Sequence, residues 1–326
     1  MKRTKKALSS GEIAQAPCAK NMSYDSLAEA VSKETPCPKN MNEDKDEKVF
    51  SRALFAPLYM TAGYLYLLKI MADSLSEESK SIPWRDPFKS VWWSGPIVFT
   101  VLYLAMIYLG KMFMKNRPEY QIKPYIFTYN LYQCILNLWC VIAMIHEVVT
   151  NPWFKSAWGN TPQPGVEGFR ISFLVWMHYN NKYLELLDTV WMILRKKDRQ
   201  ISFLHCYHHI LLIWAWFFVC KTETGGDCYF GATVNSFIHV IMYGYYTLAL
   251  LGISCPWKKW ITNCQMIQFV ACLSHSIYVI YAGNLPIQLP LVQGFVMVNM
   301  LILFGNFYVQ NYINKAKKGK EGKKGE

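Results

Sequence analysis

Long apolar stretches recur along the chain between residues 91 and 312, and short polar connections separate them. Seven such stretches run over residues 91–114, 124–147, 170–194, 203–220, 230–252, 261–282 and 290–312. A helix needs about 20 apolar residues to cross the hydrocarbon core of a bilayer, and all but the fourth stretch reach that length comfortably. The pattern therefore predicts an all-α integral membrane protein with seven transmembrane helices.

The regions flanking these stretches have a different character. Residues 1–49 are polar, and we expect an N-terminal arm without catalytic residues. Residues 50–72 are apolar but carry Arg52 and Lys69 near their ends, which leaves open an interfacial helix or an additional span. No apolar run follows the basic cluster at the beginning, so a cleavable secretory signal is not expected. A basic tail covers residues 313–326.

Lysine and arginine are concentrated in every second connection. Residues 111–123, 195–199 and 256–259 are basic, as is the tail, whereas residues 283–290 carry no charge. Because basic loops stay on the cytosolic side, this alternation predicts a cytosolic carboxyl end. The last four residues place Lys323 and Lys324 in the form of a dilysine retrieval signal. We therefore expect a multi-pass protein of the endoplasmic reticulum membrane.

Composition supports a membrane location. Of the 326 residues, 52% are hydrophobic and 17% are charged, and the formal net charge is +12. A strongly basic protein could bind nucleic acid, but here the cations lie beside membrane ends. They suit anionic lipid headgroups and phosphate-bearing substrates better, so no nucleic-acid partner is expected.

Polar side chains inside the predicted spans fall on shared helix faces. At about 100° per residue, six polar residues of the third span lie within an arc of roughly 120°. A polar group within a bilayer is costly and usually faces a protein-lined interior. The six residues are His178, Asn181, Lys182, Glu185, Asp188 and Thr189.

Four other spans carry comparable polar faces. The fourth begins with three histidines spaced by three and four residues, and the second, fifth and sixth carry amides, tyrosines and further histidines. Hydrogen bonds between helices alone would explain the amides, but they explain the histidines poorly. We expect a reaction centre below a cytosolic mouth, with an apolar cavity beyond it. The residues are Asn130, Gln133, Asn137, His205, His208, His209, Asn235, His239, Tyr243, Tyr246, Gln265, Gln268, Cys272 and His275.

Four of these stretches, read in order, resemble motifs of the ELO family of very-long-chain fatty-acid elongases. They are Asn181 to Thr189, the HxxHH box from His205 to His209, the stretch from His239 to Tyr246, and the TxxQxxQ pattern from Thr262 to Gln268. The resemblance covers about two thirds of the chain, from Val91 to Tyr312.

The resemblance implies a fold and a reaction. Six of seven membrane helices would form a closed barrel around an acyl tunnel that opens to the cytosol. The enzyme would be a 3-oxoacyl-CoA synthase, an acyltransferase that condenses acyl-CoA with malonyl-CoA and releases CO2 and CoA. No metal or other cofactor would be needed. The partners would be the ketoacyl-CoA reductase, dehydratase and enoyl reductase of the elongation cycle.

The resemblance also suggests roles for the polar residues. His208 would be the nucleophile that forms an acyl-histidine intermediate, and His239 would act in decarboxylation or proton transfer. His205 and His209 would orient the site, with Asp188 fixing a histidine tautomer. Lys182 and Glu185 would complete this network. Binding of the thioester or CoA end would fall to Asn235, Tyr243, Tyr246, Gln265 and Gln268.

The stretch from Gln200 to Leu204 is similar to the version found in elongases of polyunsaturated acyl chains.

Two alternatives remain open. A membrane di-iron desaturase or hydroxylase also uses HxxHH boxes, but such enzymes have three boxes with about eight histidine ligands, and this chain has seven histidines and one box. A non-enzymatic seven-helix receptor or transporter would explain the spans, but it needs no histidine cluster beside carboxylates.

Overall fold

A computed structural model describes residues 94–163 and 165–310, and all the regular structure within these ranges is helical. Short 3₁₀ helices at Asp198–Gln200 and Pro256–Trp260 precede two of the α-helices. In chain order the α-helices of this part of the chain are α1 Ser94–Met114, α2 Lys123–Thr150, α3 Gly165–Leu184, α4 Leu187–Leu194, α5 Phe203–Thr222, α6 Cys228–Leu250, α7 Ile261–Ala282 and α8 Gln288–Tyr308.

The prediction of an all-helical chain is confirmed for the described residues. Each of the seven apolar stretches coincides with a helix, and the third stretch is divided between α3 and α4. The N-terminal arm, residues 50–72 and the dilysine ending lie outside the described residues.

The third stretch is not the continuous α-helix that the sequence pattern assumed. At its centre the amide of Leu186 bonds to the carbonyl of Tyr183, and the amides of Asp188 and Thr189 bond to the carbonyls of Glu185 and Leu186. These i to i−3 bonds form a tighter turn than the α-helix, with about 120° of rotation per residue. Three residues at this rotation return to the same direction, so Glu185 and Asp188 both face α6, at His239 and Tyr243. Thr189 faces α5, at His205.

Local sequence explains where several helices begin and end. The side chain of Ser202 caps α5 by accepting a hydrogen bond from the amide of His205. Pro124 occupies the first turn of α2, where its missing N–H is not needed. At the end of α7, Gly283 takes a left-handed conformation with φ of 63°, which a residue without Cβ adopts at little cost.

The outer surfaces of the helices are apolar. Large side chains on α1 are more than half exposed, including Val101 at 61% and Leu109 at 59%, and Ile277 on α7 is 63% exposed. Within the described residues, α1, α2, α5, α7 with its preceding turn, and α8 are long and apolar enough to cross a membrane. A water-soluble protein rarely exposes so much contiguous apolar surface. The chain is therefore a multi-pass membrane protein.

The helices pack in a defined order of neighbours. Helix α2 packs along α6, α6 contacts α7, α7 packs along α8, α8 contacts α5, α5 contacts α3, and α3 contacts α2. Helix α3 also contacts α6, and α1 packs against α4 and α5. The polar faces of α2, α3, α5, α6 and α7 contribute buried side chains to the interior between these helices.

Candidate active site

A lysine–glutamate ion pair is buried where α3 ends. The side chains of Lys182 and Glu185 are each 1% exposed, and Lys182 Nζ lies 2.8 Å from Glu185 Oε1. Lys182 Nζ also donates a hydrogen bond of 2.8 Å to Asn235 Oδ1 on α6. A buried charge without a partner costs several kcal/mol, so these contacts hold α3 against α6. The resemblance suggests that Lys182 and Glu185 belong to one network and that Asn235 binds substrate; the structure pairs the first two and adds Asn235 to them.

The same carboxylate positions a histidine of α6. Glu185 Oε1 lies 3.1 Å from Nδ1 of His239, which is buried. Asn181 donates to Glu185 Oε1 at 3.1 Å and to Gln133 Oε1 on α2 at 3.0 Å. A carboxylate beside Nδ1 favours the proton on that nitrogen, which leaves Nε2 of His239 as the hydrogen-bond acceptor.

The histidine box occupies the first turns of α5. His205 Nε2 lies 2.7 Å from the hydroxyl oxygen of Thr189, and that oxygen is 2.8 Å from the hydroxyl of Tyr103. The ring of His209 is buried, with its centroid 4.6 Å from that of His205. The hydroxyl groups of Tyr103 on α1 and Thr189 on α4 therefore fix the orientation of the His205 ring.

His208 is the member of the box that faces the interior cavity. It is half-buried, its ring centroid is 5.4 Å from that of His209, and it lies in the cavity wall. Glu185, Lys182 and His239 contribute to its electrostatic environment. An imidazole at the edge of an apolar cavity, close to a second imidazole held by a carboxylate, has the groups that acyl transfer with proton transfer requires.

Asp188 bonds to a tyrosine in this structure. Its Oδ2 accepts a hydrogen bond of 2.7 Å from the hydroxyl of Tyr243, and that hydroxyl is 3.5 Å from the hydroxyl of Tyr129. The sequence had suggested that Asp188 would fix a histidine tautomer, but here Thr189 bonds to His205 and Glu185 contacts His239.

An apolar cavity extends from His208 between α5, α6, α7 and α8. Along α5 it reaches from His208 to Val219, a rise of about 16 Å at 1.5 Å per residue. Its wall is mainly aliphatic and aromatic, with a few amides, including Asn235 and Gln268. The cavity can enclose an extended hydrocarbon chain whose reacting end is at His208.

A buried carboxylate closes the far end of the cavity. Asp227, just before α6, is fully buried and accepts hydrogen bonds from the amides of Gly159 and Asn160, at 2.6 and 2.9 Å, and from the side chains of Asn160 and Asn284, at 3.0 and 2.9 Å. Burial opposes ionisation, but the hydrogen bonds and nearby His275 outweigh it and hold the pKa of Asp227 below its usual value. Asp227, in the connection between α5 and α6, thus holds the connections between α2 and α3 and between α7 and α8.

The remaining predicted binding residues lie in different environments. Gln268 is buried in the cavity wall, whereas Gln265, one turn earlier on α7, is half-buried. Tyr246 is 39% exposed, and its ring contacts those of Tyr243 and Tyr245. The structure therefore brings Gln268 to the cavity and places Tyr246 towards the surface.

Sequence reasoning did not assign a role to several residues of the site. Tyr103 lies on α1, whose apolar character gave no reason to expect a contact with the histidine box. Thr189 was part of the polar stripe, but its hydrogen bond to His205 depends on the turn before α4. Asp227 belongs to a connection that looked ordinary, although an aspartate next to a span could have drawn attention.

Comparisons with known proteins agree with these observations. The profile described as ELO: GNS1/SUR4 family matches residues 87–320. The chain is 37% identical over 227 residues to a Very long chain fatty acid elongase 5 of Xenopus tropicalis; the aligned region covers 68% of this chain and 76% of that protein. It is 35% identical over 241 residues to a Very long chain fatty acid elongase 2 of Rattus norvegicus, covering 69% of this chain and 85% of that protein.

Proposed function

Since the chain belongs to the GNS1/SUR4 family and is a fatty-acid elongase, a 3-oxoacyl-CoA synthase, we propose that it extends polyunsaturated acyl chains through an acyl-histidine intermediate. Its substrates are a long-chain acyl-CoA and malonyl-CoA. The observation that carries the proposal is the place of His208, in the wall of an apolar cavity and beside the buried group of Glu185, Lys182 and His239.

The first half-reaction is acyl transfer to His208. A ring nitrogen of neutral His208 attacks the thioester carbonyl and the bond from carbon to sulfur breaks. The proton on the other ring nitrogen passes to the thiolate, so CoA leaves as the thiol and a neutral acyl-imidazole remains. The acyl chain would lie in the cavity, where apolar side chains of α5, α7 and α8 replace water around it. Holding the chain fixes the carbonyl near the imidazole, which lowers the entropic cost of attack.

The second half-reaction forms the new carbon–carbon bond. Malonyl-CoA loses CO2 and leaves an enolate, whose α-carbon attacks the acyl-imidazole carbonyl. The bond from the carbonyl to the ring nitrogen breaks, and the imidazolate takes a proton from water at the mouth, which restores neutral His208 and completes the 3-oxoacyl-CoA. His239 would accept and pass on a proton through Nε2, with Glu185 holding its ring. The condensation involves no net oxidation or reduction, so we propose that it needs no cofactor.

The order of helix neighbours supports a ring of six helices around the acyl tunnel. Contacts run from α2 to α6, α7, α8, α5, α3 and back to α2, and α1 packs against α4 and α5. With basic connections on the cytosolic side, the histidine box at the start of α5 would lie near the cytosolic mouth. The CoA groups would remain there, and the product would pass to the reductase, dehydratase and enoyl reductase of the endoplasmic reticulum.

The polyunsaturated preference is supported by the stretch from Gln200 to Leu204. To test it, the chain is expressed in yeast, C18 and C20 polyunsaturated acids are fed one at a time beside saturated acids of equal length, and the products are identified by gas chromatography. We expect two-carbon extension of the polyunsaturated acids. Extension of the saturated acids alone would refute the preference.

The acyl-histidine intermediate has a direct test. Purified protein is given acyl-CoA without malonyl-CoA, then CoA release and the mass of the peptide containing His208 are measured. We expect about one CoA released per enzyme and an acyl adduct on that peptide, both absent in His208→Ala, whose turnover should fall at least about a thousandfold. Cys206→Ala is the matched control, because it removes the neighbouring thiol, and it should keep the adduct. An adduct that disappears with Cys206→Ala and stays with His208→Ala would refute the assignment.

A further inference from the structure

The far end of the acyl cavity carries a polar pair that the condensation chemistry does not use. His275 on α7 and Asp227 both lie in the cavity wall, at the end opposite His208. His275 is 2% exposed and packs against the rings of Phe230 and Trp158, at centroid distances of 4.6 and 5.3 Å. An alkyl chain alone gives no reason for a titratable side chain at this position.

Asp227 has little capacity left for a ligand. An ionised carboxylate offers about four acceptor positions, and N–H groups of Gly159, Asn160 and Asn284 donate four hydrogen bonds to it. Its Oδ2 also lies 3.7 Å from Nε2 of His275. A hydrogen-bond donor entering this end of the cavity would therefore find His275, rather than Asp227, able to bond with it.

The geometry indicates what His275 can offer. The nearby carboxylate favours the proton on Nε2, which leaves Nδ1 with a free lone pair. Within the part of the chain that the structure describes, neither ring nitrogen of His275 has a hydrogen-bond partner; Nε2 is 3.7 Å from the carboxylate, and Nδ1 is the nitrogen with no charged group beside it. A buried polar atom without a partner is unfavourable, so a ligand that donates a hydrogen bond to Nδ1 would be bound more tightly than one that cannot.

We propose that this end of the cavity binds the terminal hydroxyl of an ω-hydroxyacyl chain, which makes ω-hydroxyacyl-CoAs a further substrate class of the enzyme. The inference rests on the proposed function, because the chain reaches His275 only when its thioester is at His208. The hydroxyl proton bonds to Nδ1 of His275. A terminal carboxylate is excluded by the charge of Asp227, and a terminal methyl ether has no proton to donate.

The experiment compares three series of substrates with purified protein. Acyl-CoAs of C12 to C18 that end in a methyl group, a hydroxyl or a methyl ether are condensed with radiolabelled malonyl-CoA, and kcat/KM is measured for each. At the chain length that places the end group beside His275, we expect the hydroxyl to exceed the methyl ether by about tenfold, since one more buried hydrogen bond is satisfied.

Two variants separate hydrogen bonding from shape. His275→Phe keeps a planar ring without an acceptor and should reduce the hydroxyl-to-ether ratio to about one, while the methyl series is still extended. His275→Gln provides a side-chain carbonyl that can accept a hydrogen bond, so its ratio of kcat/KM for the hydroxyl series over the ether series should lie between those of His275→Phe and wild type. Both variants are used only if they extend the methyl series, which also shows that they fold.

The outcomes distinguish the two proposals. If no series is extended by the wild-type protein, the proposed condensing function fails. If the methyl series is extended but the hydroxyl and ether series are equal at every length, or if the ratio is unchanged in His275→Phe, then the terminal hydroxyl does not bind at His275 and the further inference is overturned.

Discussion

The buried pair of Lys182 and Glu185 allows a quantitative test of how the interior is held together. Lys182→Met keeps most of the side-chain length but removes the ammonium, which leaves Glu185 as a buried anion without its cation. Breaking one partner of a buried ion pair costs about 3–5 kcal/mol. At about 2–4 °C per kcal/mol for a domain of this size, we expect Tm to fall by about 6–20 °C.

The double variant tests whether the cost comes from the unpaired charge. Lys182→Met combined with Glu185→Gln removes both charges. We expect it to be less destabilised than the sum of the two single variants by at least about 2 kcal/mol, because neither charge is then buried alone.

The assay measures stability and activity separately. Thermal unfolding of the detergent-solubilised protein gives Tm, and incorporation of radiolabelled malonyl carbon, measured well below Tm, gives the condensing rate. The double variant should remain poorly active despite its recovered Tm, because His239 has lost the carboxylate beside its Nδ1.

An exposed ion pair provides the matched control. Lys111 lies 3.9 Å from Asp198, with side chains 41% and 62% exposed. Exposed pairs contribute at most about 1 kcal/mol, so Lys111→Met should lower Tm by less than about 4 °C. The reasoning would be refuted if the losses of stability of Lys182→Met and Glu185→Gln were strictly additive. It would also be refuted if Lys182→Met and Lys111→Met lowered Tm equally.

Three further predictions concern other contacts of the interior. Because the pKa of Asp227 is lowered, its contribution to stability is complete above the usual carboxyl range and is lost as the pH falls through the lowered pKa. The difference in Tm between wild type and Asp227→Asn should therefore become smaller at acidic pH. A difference in Tm that does not change with pH would contradict this. Thr189→Val leaves Nε2 of His205 without its hydroxyl partner and should cost about 1–3 kcal/mol by thermal unfolding, whereas Thr189→Ser should be close to wild type. Tyr243→Phe removes the donor to Asp188 and should also cost about 1–3 kcal/mol, and a clear loss of this effect is expected when Asp188→Ala, which removes the acceptor, is already present; full additivity would argue against the bond.

The sequence predicted the helices well because a long apolar run has few other solutions in a bilayer. It also predicted that polar faces of several helices meet in a common interior, because buried polar residues must find partners, but not that Asn235 accepts a hydrogen bond from Lys182. The same argument placed His208 and Gln268 at the interior, and both lie in the cavity wall.

Other features depended on geometry that periodicity does not encode. Helical periodicity places Asp188 and Thr189 on neighbouring sides of one segment, but it does not indicate which helix each side meets, so their partners could not be assigned. The contacts of Asp227 require three distant connections to meet, and no local pattern indicates which loops approach one another. Tyr246 shared a face with polar residues, but it lies near the end of α6, where the helix is more exposed.

The burial of Lys182 has a consequence for how the nascent protein enters the bilayer. Helices α3 and α6, which share this cation through Asn235, are not among the described helices that are apolar enough to cross alone. A lysine at the centre of a span costs the insertion machinery about 2.5–3.5 kcal/mol, and its amide partner is 53 residues downstream. At about 5–20 residues per second, the ribosome needs about 3–11 s to supply that partner, so we expect α3 to be stably inserted only after α6 has been synthesised.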